Sequence, residues 1–158
     1  MMKKIYHKYI KNDFVKIVFL GVILFFCSII RANAQEKLSV IGNAKGVPTT
    51  MTEKELKVVM KGEKQRWSDG TKIVIALMKT NTPIGQTTSK RIYNMTGDEL
   101  NRFWLALVFQ GKTSAPTFFN SMSELESFVA QTPGAIGIVQ HATSNESKLI
   151  AIDGKKDL

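Results

Sequence analysis

The alternation of short apolar runs with helix-start signals constrains the fold of this sequence more than any other feature. Apolar, β-branched runs predict strands at 38–41, 72–77, 117–119, 135–139 and 149–152. Between them, a Ser or Thr followed three residues later by Glu predicts helix starts at Thr52 with Glu55, Thr96 with Glu99, and Ser123 with Glu126. Strands and helices in this order favour an α/β fold, with a small mixed sheet flanked by helices.

The helix that begins after Thr96 has the strongest apolar face. Its helical spacing predicts a buried stripe, with Gly111 ending the helix; the stripe is Leu100, Phe103, Trp104, Leu107 and Val108. Within it, we expect Trp104 to pack against Phe128 and strand residues near Leu77. Another helix is predicted over 86–95, after a loop at 79–85 that contains Pro83 and Gly85.

The first 34 residues have the three parts of an export signal. Five lysines precede an apolar run of 14 residues, 17–30, and Ala32-Asn33-Ala34 supplies the small residues that a signal peptidase accepts. We therefore predict a signal peptide over 1–34, a cut between Ala34 and Gln35, and one domain over 35–158. A retained anchor is the alternative, but the run is shorter than the roughly 20 residues of a spanning helix. Lipidation of Cys27 is disfavoured because bulky residues precede it.

Composition argues against several functions. The net charge is +9, but residues 1–34 carry six of the 22 Lys and Arg and only one of the 13 acidic residues. No basic stripe interleaved with aromatics remains after the predicted cut, so nucleic-acid binding is not expected. His141 is the only histidine of the predicted mature domain, and no spacing typical of a metal or catalytic site accompanies it. We expect neither an enzyme nor a cofactor or metal site.

One segment has the residue types of an anion site. A buried strand near 73–77 leads through a short loop into Gly85-Gln86-Thr87-Thr88-Ser89, where a helix is predicted to start. A helix start offers free N–H groups and a partial positive charge to an oxyanion, and the hydroxyls add donors. An ordinary helix start, capped by the same side chains, is the alternative. The candidate oxyanion residues are Gly85, Gln86, Thr87, Thr88, Ser89 and Arg91.

Four stretches resemble phosphate-type periplasmic substrate-binding proteins, in particular their short single-lobe members. MTEKELKVVMKGEKQRWSDGTKIVIAL is similar to their helix, turn and buried strand, and NTPIGQTTSKRIYNM falls where they carry a Ser-Gly-Thr loop and a helix. ELNRFWLALVFQGKTSAP resembles their Phe-x-Gly-Lys stretch, and FVAQTPGAIGIV resembles their PGAIGYV signature. In order, the resemblance covers about 38–139.

The resemblance implies one lobe of a type II periplasmic binding protein, whose anion sits in a cleft between two lobes. It implies that Gly85, Gln86, Thr87 and Thr88 face a small oxyanion such as phosphate. The expected function is solute binding by an exported protein, periplasmic or secreted, with no stable membrane insertion after cleavage. An ABC permease or another copy of the chain would be its partner. The alternative is a lobe that has lost its solute and acts as a protein-interaction module in the cell envelope.

Overall fold

The computed structural model of this protein describes residues 37–140 and 147–158. The predicted signal segment, its cleavage point and His141 lie outside the described residues. The described residues belong to one unit, Glu36–Leu158.

Six strands and four α-helices make up this unit. The strands are β1 Ser39–Gly42, β2 Thr50–Met51, β3 Val74–Met78, β4 Thr117–Phe119, β5 Ala135–Val139 and β6 Lys148–Ile152. The helices are α1 Glu53–Met60, α2 Pro83–Thr88, α3 Gly97–Phe109 and α4 Met122–Gln131, and a π-helical segment, Ser89–Tyr93, directly follows α2. Five of the six strands were predicted, whereas the two-residue strand β2 was not.

The sheet is mixed, as the sequence predicts, and its strand order is β2-β6-β1-β5-β3-β4. β3 runs parallel to both β4 and β5, with Leu77 opposite Phe118 and Ile75 opposite Ile136. β1 is antiparallel to β5 and to β6. The sheet therefore has a parallel half, β5-β3-β4, whose carboxyl ends share one edge.

Helices cover both faces of the sheet. Alternate strand residues divide between two apolar clusters, so that Leu77 faces one and Ala76 the other. The first cluster packs against α1, the π-helical segment and α3, and the second packs against Leu125 and Val129 of α4. This three-layer arrangement explains why β3 and β5 are buried on both faces and read as continuous apolar runs.

Two of the predicted helix starts are confirmed and one is wrong. Capping boxes form at Thr52 and at Thr96, where each hydroxyl accepts from the backbone N–H of the Glu three residues later. The helix α4 instead begins at Met122 and is capped by Ser121, two residues before the predicted Ser123. Because α4 begins at Met122, Glu126 lies beyond the first turn of the helix, where it is 2% exposed, and not in the first turn as predicted.

The predicted helix over 86–95 also begins too late. It starts at Pro83, because Thr82 caps it and proline suits the first helical position. The α-helical part ends at Thr88 and gives way to the π-helical segment, which closes on Asn94 in the left-handed conformation with φ 56°. Part of the predicted loop 79–85 is therefore helical.

The structure confirms that Trp104 is buried but corrects its surroundings. Its ring meets those of Phe103 and Tyr93 edge-on, in the same cluster as Leu77. Phe128 lies in the other cluster, against Phe119, because α4 covers the opposite face of the sheet. Val108, predicted on the buried stripe of α3, is instead 41% exposed.

Candidate functional site

The carboxyl ends of the three parallel strands define the candidate site. In an open α/β sheet, ligands bind outside these ends, where neighbouring connections leave in opposite directions. From β3 the chain continues to β4, toward one edge of the sheet. From β5 it continues to β6, toward the opposite edge. The switch point therefore lies between β3 and β5, next to Lys79 and Gln140. The candidate anion segment begins at Gly85, after the six residues that follow the end of β3 at Met78.

Thr82 organises the turn from β3 into α2. Its hydroxyl donates to the carbonyl oxygen of Lys79 at 2.7 Å and accepts from the N–H of Gly85 at 3.1 Å. The Thr82 N–H bonds to the same Lys79 carbonyl at 2.9 Å. One of the free N–H groups at the start of α2 is thus satisfied within the chain.

Gly85 is required by packing at this turn. An added Cβ would overlap the Lys79 carbonyl oxygen and lie 2.7 Å from its carbon. Any larger residue would therefore push α2 away from the end of β3. The structure accounts for the glycine by this close approach between two backbone segments.

The hydroxyls of the predicted segment have partners in the backbone. Thr87 Oγ1 donates to the Pro83 carbonyl at 3.0 Å, and Ser89 Oγ donates to the Gly85 carbonyl at 2.7 Å. Both are bonds to the carbonyl four residues earlier, a common pattern for Ser and Thr inside helices. Ser89 and Thr88 are buried, with 0% and 3% of their surface exposed.

A polar cavity of about 360 Å³, which we call the carboxyl-edge cavity, lies between this turn, α2, the π-helical segment and the start of α3. The side chain of Asn101 holds one wall, since its Nδ2 donates to Thr80 Oγ1 at 3.0 Å. The cavity has one cationic and one anionic side chain, both exposed. Its lining residues are Thr80, Asn81, Gln86, Lys90, Thr96, Gly97 and Asp98.

Of the six predicted oxyanion residues, Gln86 is the one that lines this cavity. Arg91 is half-buried and does not line the cavity. The pKa of the Glu53 carboxyl on α1 is lowered, mainly by its hydrogen bond with Lys57, with a smaller contribution from Arg91. The structure therefore brings Gln86 together with Lys90 at the cavity.

Sequence reasoning left out most of the cavity. Thr80 and Asn81 follow β3 directly, and this position at a strand end was the available signal for them. Thr96, Gly97 and Asp98 were recognised only as a helix start. Their proximity to α2 depends on the tight return of the chain at Asn94, which the sequence does not reveal.

Two features are absent from residues 37–140 and 147–158. No cluster of three or more His, Cys, Asp or Glu side chains is arranged to hold a metal. None of the helices there has the length and apolar character that crossing a bilayer requires.

The fold is that of known phosphate-binding protein lobes. The structure is similar to an ABC-type phosphate transport receptor from Vibrio cholerae, with a TM-score of 0.58 and 15% identity over 77% of this chain and 48% of that one. A phosphate ABC transporter substrate-binding protein with bound phosphate, from Clostridium perfringens, gives 0.55 and 13% over 75% and 46%. PstS from Borrelia burgdorferi gives 0.54 and 17% over 75% and 48%.

At these identities the similarity establishes the fold, and this chain spans less than half the length of each of the three. No known protein family matches the sequence, and no curated protein matches it. The fold predicted from the resemblance, one lobe of a periplasmic binding protein, is confirmed.

Proposed function

We propose that this protein binds a small phosphate-like oxyanion at the carboxyl edge of β3. The observation that carries the proposal is the match between its fold and lobes of phosphate-binding proteins, with a polar cavity beside the turn that follows β3. The segment from Gly85 to Ser89, with Arg91, is the proposed ligand-binding element. In this proposal Gln86 and the neighbouring Lys90 reach the anion, and the buried members of the segment support them.

The charges of the cavity favour an anion only weakly. Lys90 offers an ammonium group, and the Gln86 amide and the hydroxyls of Thr80 and Thr96 can donate hydrogen bonds. Asp98 opposes a fully ionised anion, although it can accept a hydrogen bond from one that keeps a proton. Because the cavity is open to solvent, water reaches a bound anion and screens each contact.

We therefore expect weak binding by a monomer, with a Kd on the order of 1 mM, or about −4 kcal/mol. Association has an entropic cost that a few solvated hydrogen bonds barely offset. Tighter binding requires a second surface that closes the cavity, most simply another copy of the chain or another protein that supplies the missing lobe.

Calorimetry with phosphate and sulfate, run beside analytical ultracentrifugation, tests the proposal. Lys90→Gln and Gln86→Ala should each weaken phosphate binding several-fold. Lys54→Gln, which removes a charge from exposed α1 outside the cavity, should leave it unchanged. The double variant Thr87→Ala, Thr88→Ala tests the predicted segment itself, with its melting temperature measured to separate lost binding from lost stability.

Two results would count against the proposal. No detectable phosphate binding at about ten times the expected Kd, in any oligomeric state, would remove solute binding. Micromolar phosphate binding by a strict monomer would contradict the expectation that a solvent-open cavity binds the anion only weakly.

Export and transport complete the proposal. The predicted signal over 1–34 would deliver the domain to the periplasm or the medium, where an ABC permease for the same anion would be its partner. Permease and ATPase genes beside this one would support that assignment, and secretion or envelope genes would favour the alternative.

The alternative function, a protein-interaction module in the cell envelope, has one structural observation in its favour. The outer side of α3 exposes large apolar side chains, with Phe109 82% and Leu105 58% exposed. Neither residue lines the carboxyl-edge cavity. An oxyanion site therefore leaves this surface unexplained.

A further inference from the structure

Three exposed apolar side chains form a continuous stripe on α3. Leu105, Val108 and Phe109 are spaced three and four residues apart, so that they share one side of the helix. Their exposed fractions are 58%, 41% and 82%. Single exposed apolar residues are ordinary, but a contiguous group is typical of an interaction surface.

An apolar cavity of about 220 Å³ lies directly beside the stripe. It is lined from α3 by Asn101, Trp104, Leu105 and Val108, and from the strand side by Ala115 and Phe118 of β4. The stripe is thus joined to a concavity that can receive a side chain.

The same cavity borders the free edge of the sheet. β4 is the outermost strand and pairs with β3 on one side only, among the described strands. Such an edge presents unpaired backbone N–H and C=O groups that can bond to an added strand. The edge, the cavity and the stripe therefore adjoin one another.

A second cavity, of about 240 Å³, shares Ala115 with the first and has a basic rim. Lys64 and Lys72 line it, and Lys72 Nζ donates to Ser114 Oγ at 3.3 Å. The charged side chains lining either cavity, among the described residues, are these two lysines, and neither cavity is lined by a carboxylate.

We infer that this surface docks an extended acidic segment of another polypeptide. We call it the α3–β4 face and define it by Leu105, Val108, Phe109, Ala115, Phe118, Lys64 and Lys72. The segment adds a strand to β4 by backbone hydrogen bonds, a recognised mode of peptide binding. An apolar side chain fills the first cavity and packs on Phe109, while carboxylates reach Lys72 and Lys64 at the second.

Charge and shape both select this occupant. After the first turn of α3 the charged residues on that helix and the following turn are Arg102 and Lys112, so cations lie on both sides of the stripe. A basic partner would be repelled, and a second copy would bring its own lysines against these. A bilayer surface is flat, and it supplies neither a strand for β4 nor single side chains for two separate cavities.

A blocked, fluorescent peptide with the sequence Glu-Val-Glu-Leu-Glu-Val is the probe, and anisotropy measures its binding to the protein. We expect saturable binding with a Kd on the order of 100 μM that weakens as salt rises. Phe109→Ser should weaken it roughly tenfold or more, as for an exposed aromatic anchor. Since Phe109 is 82% exposed, the Phe109→Ser protein should melt at the same temperature as the unchanged protein.

Charge reversal gives the sharper comparison. The Lys72→Glu protein should no longer bind the acidic peptide and should instead bind the basic peptide Lys-Val-Lys-Leu-Lys-Val. Lys54 lies outside both cavities, so Lys54→Glu should change the binding of neither peptide. Phosphate binding should be unaffected by Phe109→Ser and Lys72→Glu, because neither residue lines the carboxyl-edge cavity.

The inference is overturned if the acidic peptide shows no saturable binding at about 1 mM, or if Phe109→Ser and Lys72→Glu leave its affinity unchanged. Two other measurements identify a rival occupant. Sedimentation with phosphatidylglycerol vesicles that Phe109→Ser abolishes, without peptide binding, would assign the face to a lipid surface. A dimer that the same variant converts to monomer would assign it to a second copy.

Discussion

Gly85→Ala separates two explanations of the same glycine. If Gly85 is there to let a ligand approach the backbone, alanine should mainly weaken binding. The structure gives a different reason, because an added Cβ overlaps the Lys79 carbonyl oxygen and lies 3.0 Å from the Met78 carbonyl oxygen. These are backbone atoms at the end of a buried strand, so they cannot move aside as a flexible side chain would.

The size of the effect follows from what must shift. The Lys79 carbonyl accepts from both the N–H and the hydroxyl of Thr82, so moving it weakens two hydrogen bonds of about 1 kcal/mol each. Overpacking by one methyl group adds about 1–3 kcal/mol. Alanine recovers up to about 1 kcal/mol through its better helix propensity. We expect Gly85→Ala to lower the free energy of unfolding by about 2–4 kcal/mol.

Urea unfolding of the mature domain measures this loss, followed by tryptophan fluorescence. The matched control is Gly111→Ala, where φ is +66° and nothing lies within 4 Å of the added methyl group. That substitution carries only the conformational cost of about 1 kcal/mol. A loss below about 0.5 kcal/mol for Gly85→Ala, or a gain, would refute the packing argument and restore the ligand explanation.

Trp104→Ala should cost about 3–5 kcal/mol in urea unfolding, because the ring is 3% exposed and packs against two other aromatics. Hydrogen bonds from Thr96, chiefly its backbone N–H, lower the pKa of Glu99 below its ordinary value of 4.5. The resulting stability is present above that value and is lost as the pH falls through the lowered pKa, so Glu99→Gln should flatten the acid slope of the melting temperature. Mass spectrometry of the exported protein should give an N-terminus at Gln35; a lipidated Cys27 would contradict it.

Much of the fold could be predicted because local signals agree with tertiary structure. Thr52 and Thr96 start helices where their capping boxes place them, since those side chains satisfy backbone donors within one turn. The start of α4 could not be placed in the same way. Ser121 and Ser123 are both suitable caps, and the choice between them depends on where β4 ends, which is decided by pairing with the distant β3.

The site was harder to predict than the fold because it depends on how separate segments meet. The sequence marked Gly85 to Ser89 by residue type, but the helix starts at Pro83 and directs the Ser89 hydroxyl back to the carbonyl of Gly85. The sequence does contain a signal for the true helix start, because Thr82 is a suitable cap and Pro83 suits the first helical position. The sequence could not predict that Gln86 and Asp98 line the same cavity. Their proximity depends on the π-helical segment, for which the sequence has no comparable signal.

The two surfaces of this lobe make different demands on a partner. The carboxyl-edge cavity is open to solvent, so closing it requires another surface that brings further donors to the same anion. The α3–β4 face instead offers a free strand edge and two concavities, which a single extended segment can occupy without any second lobe. Because the surfaces share no lining residue, a substitution at one should leave the other intact. If both proposals hold, the anion and the acidic segment bind independently, and the affinity for each is set by separate residues.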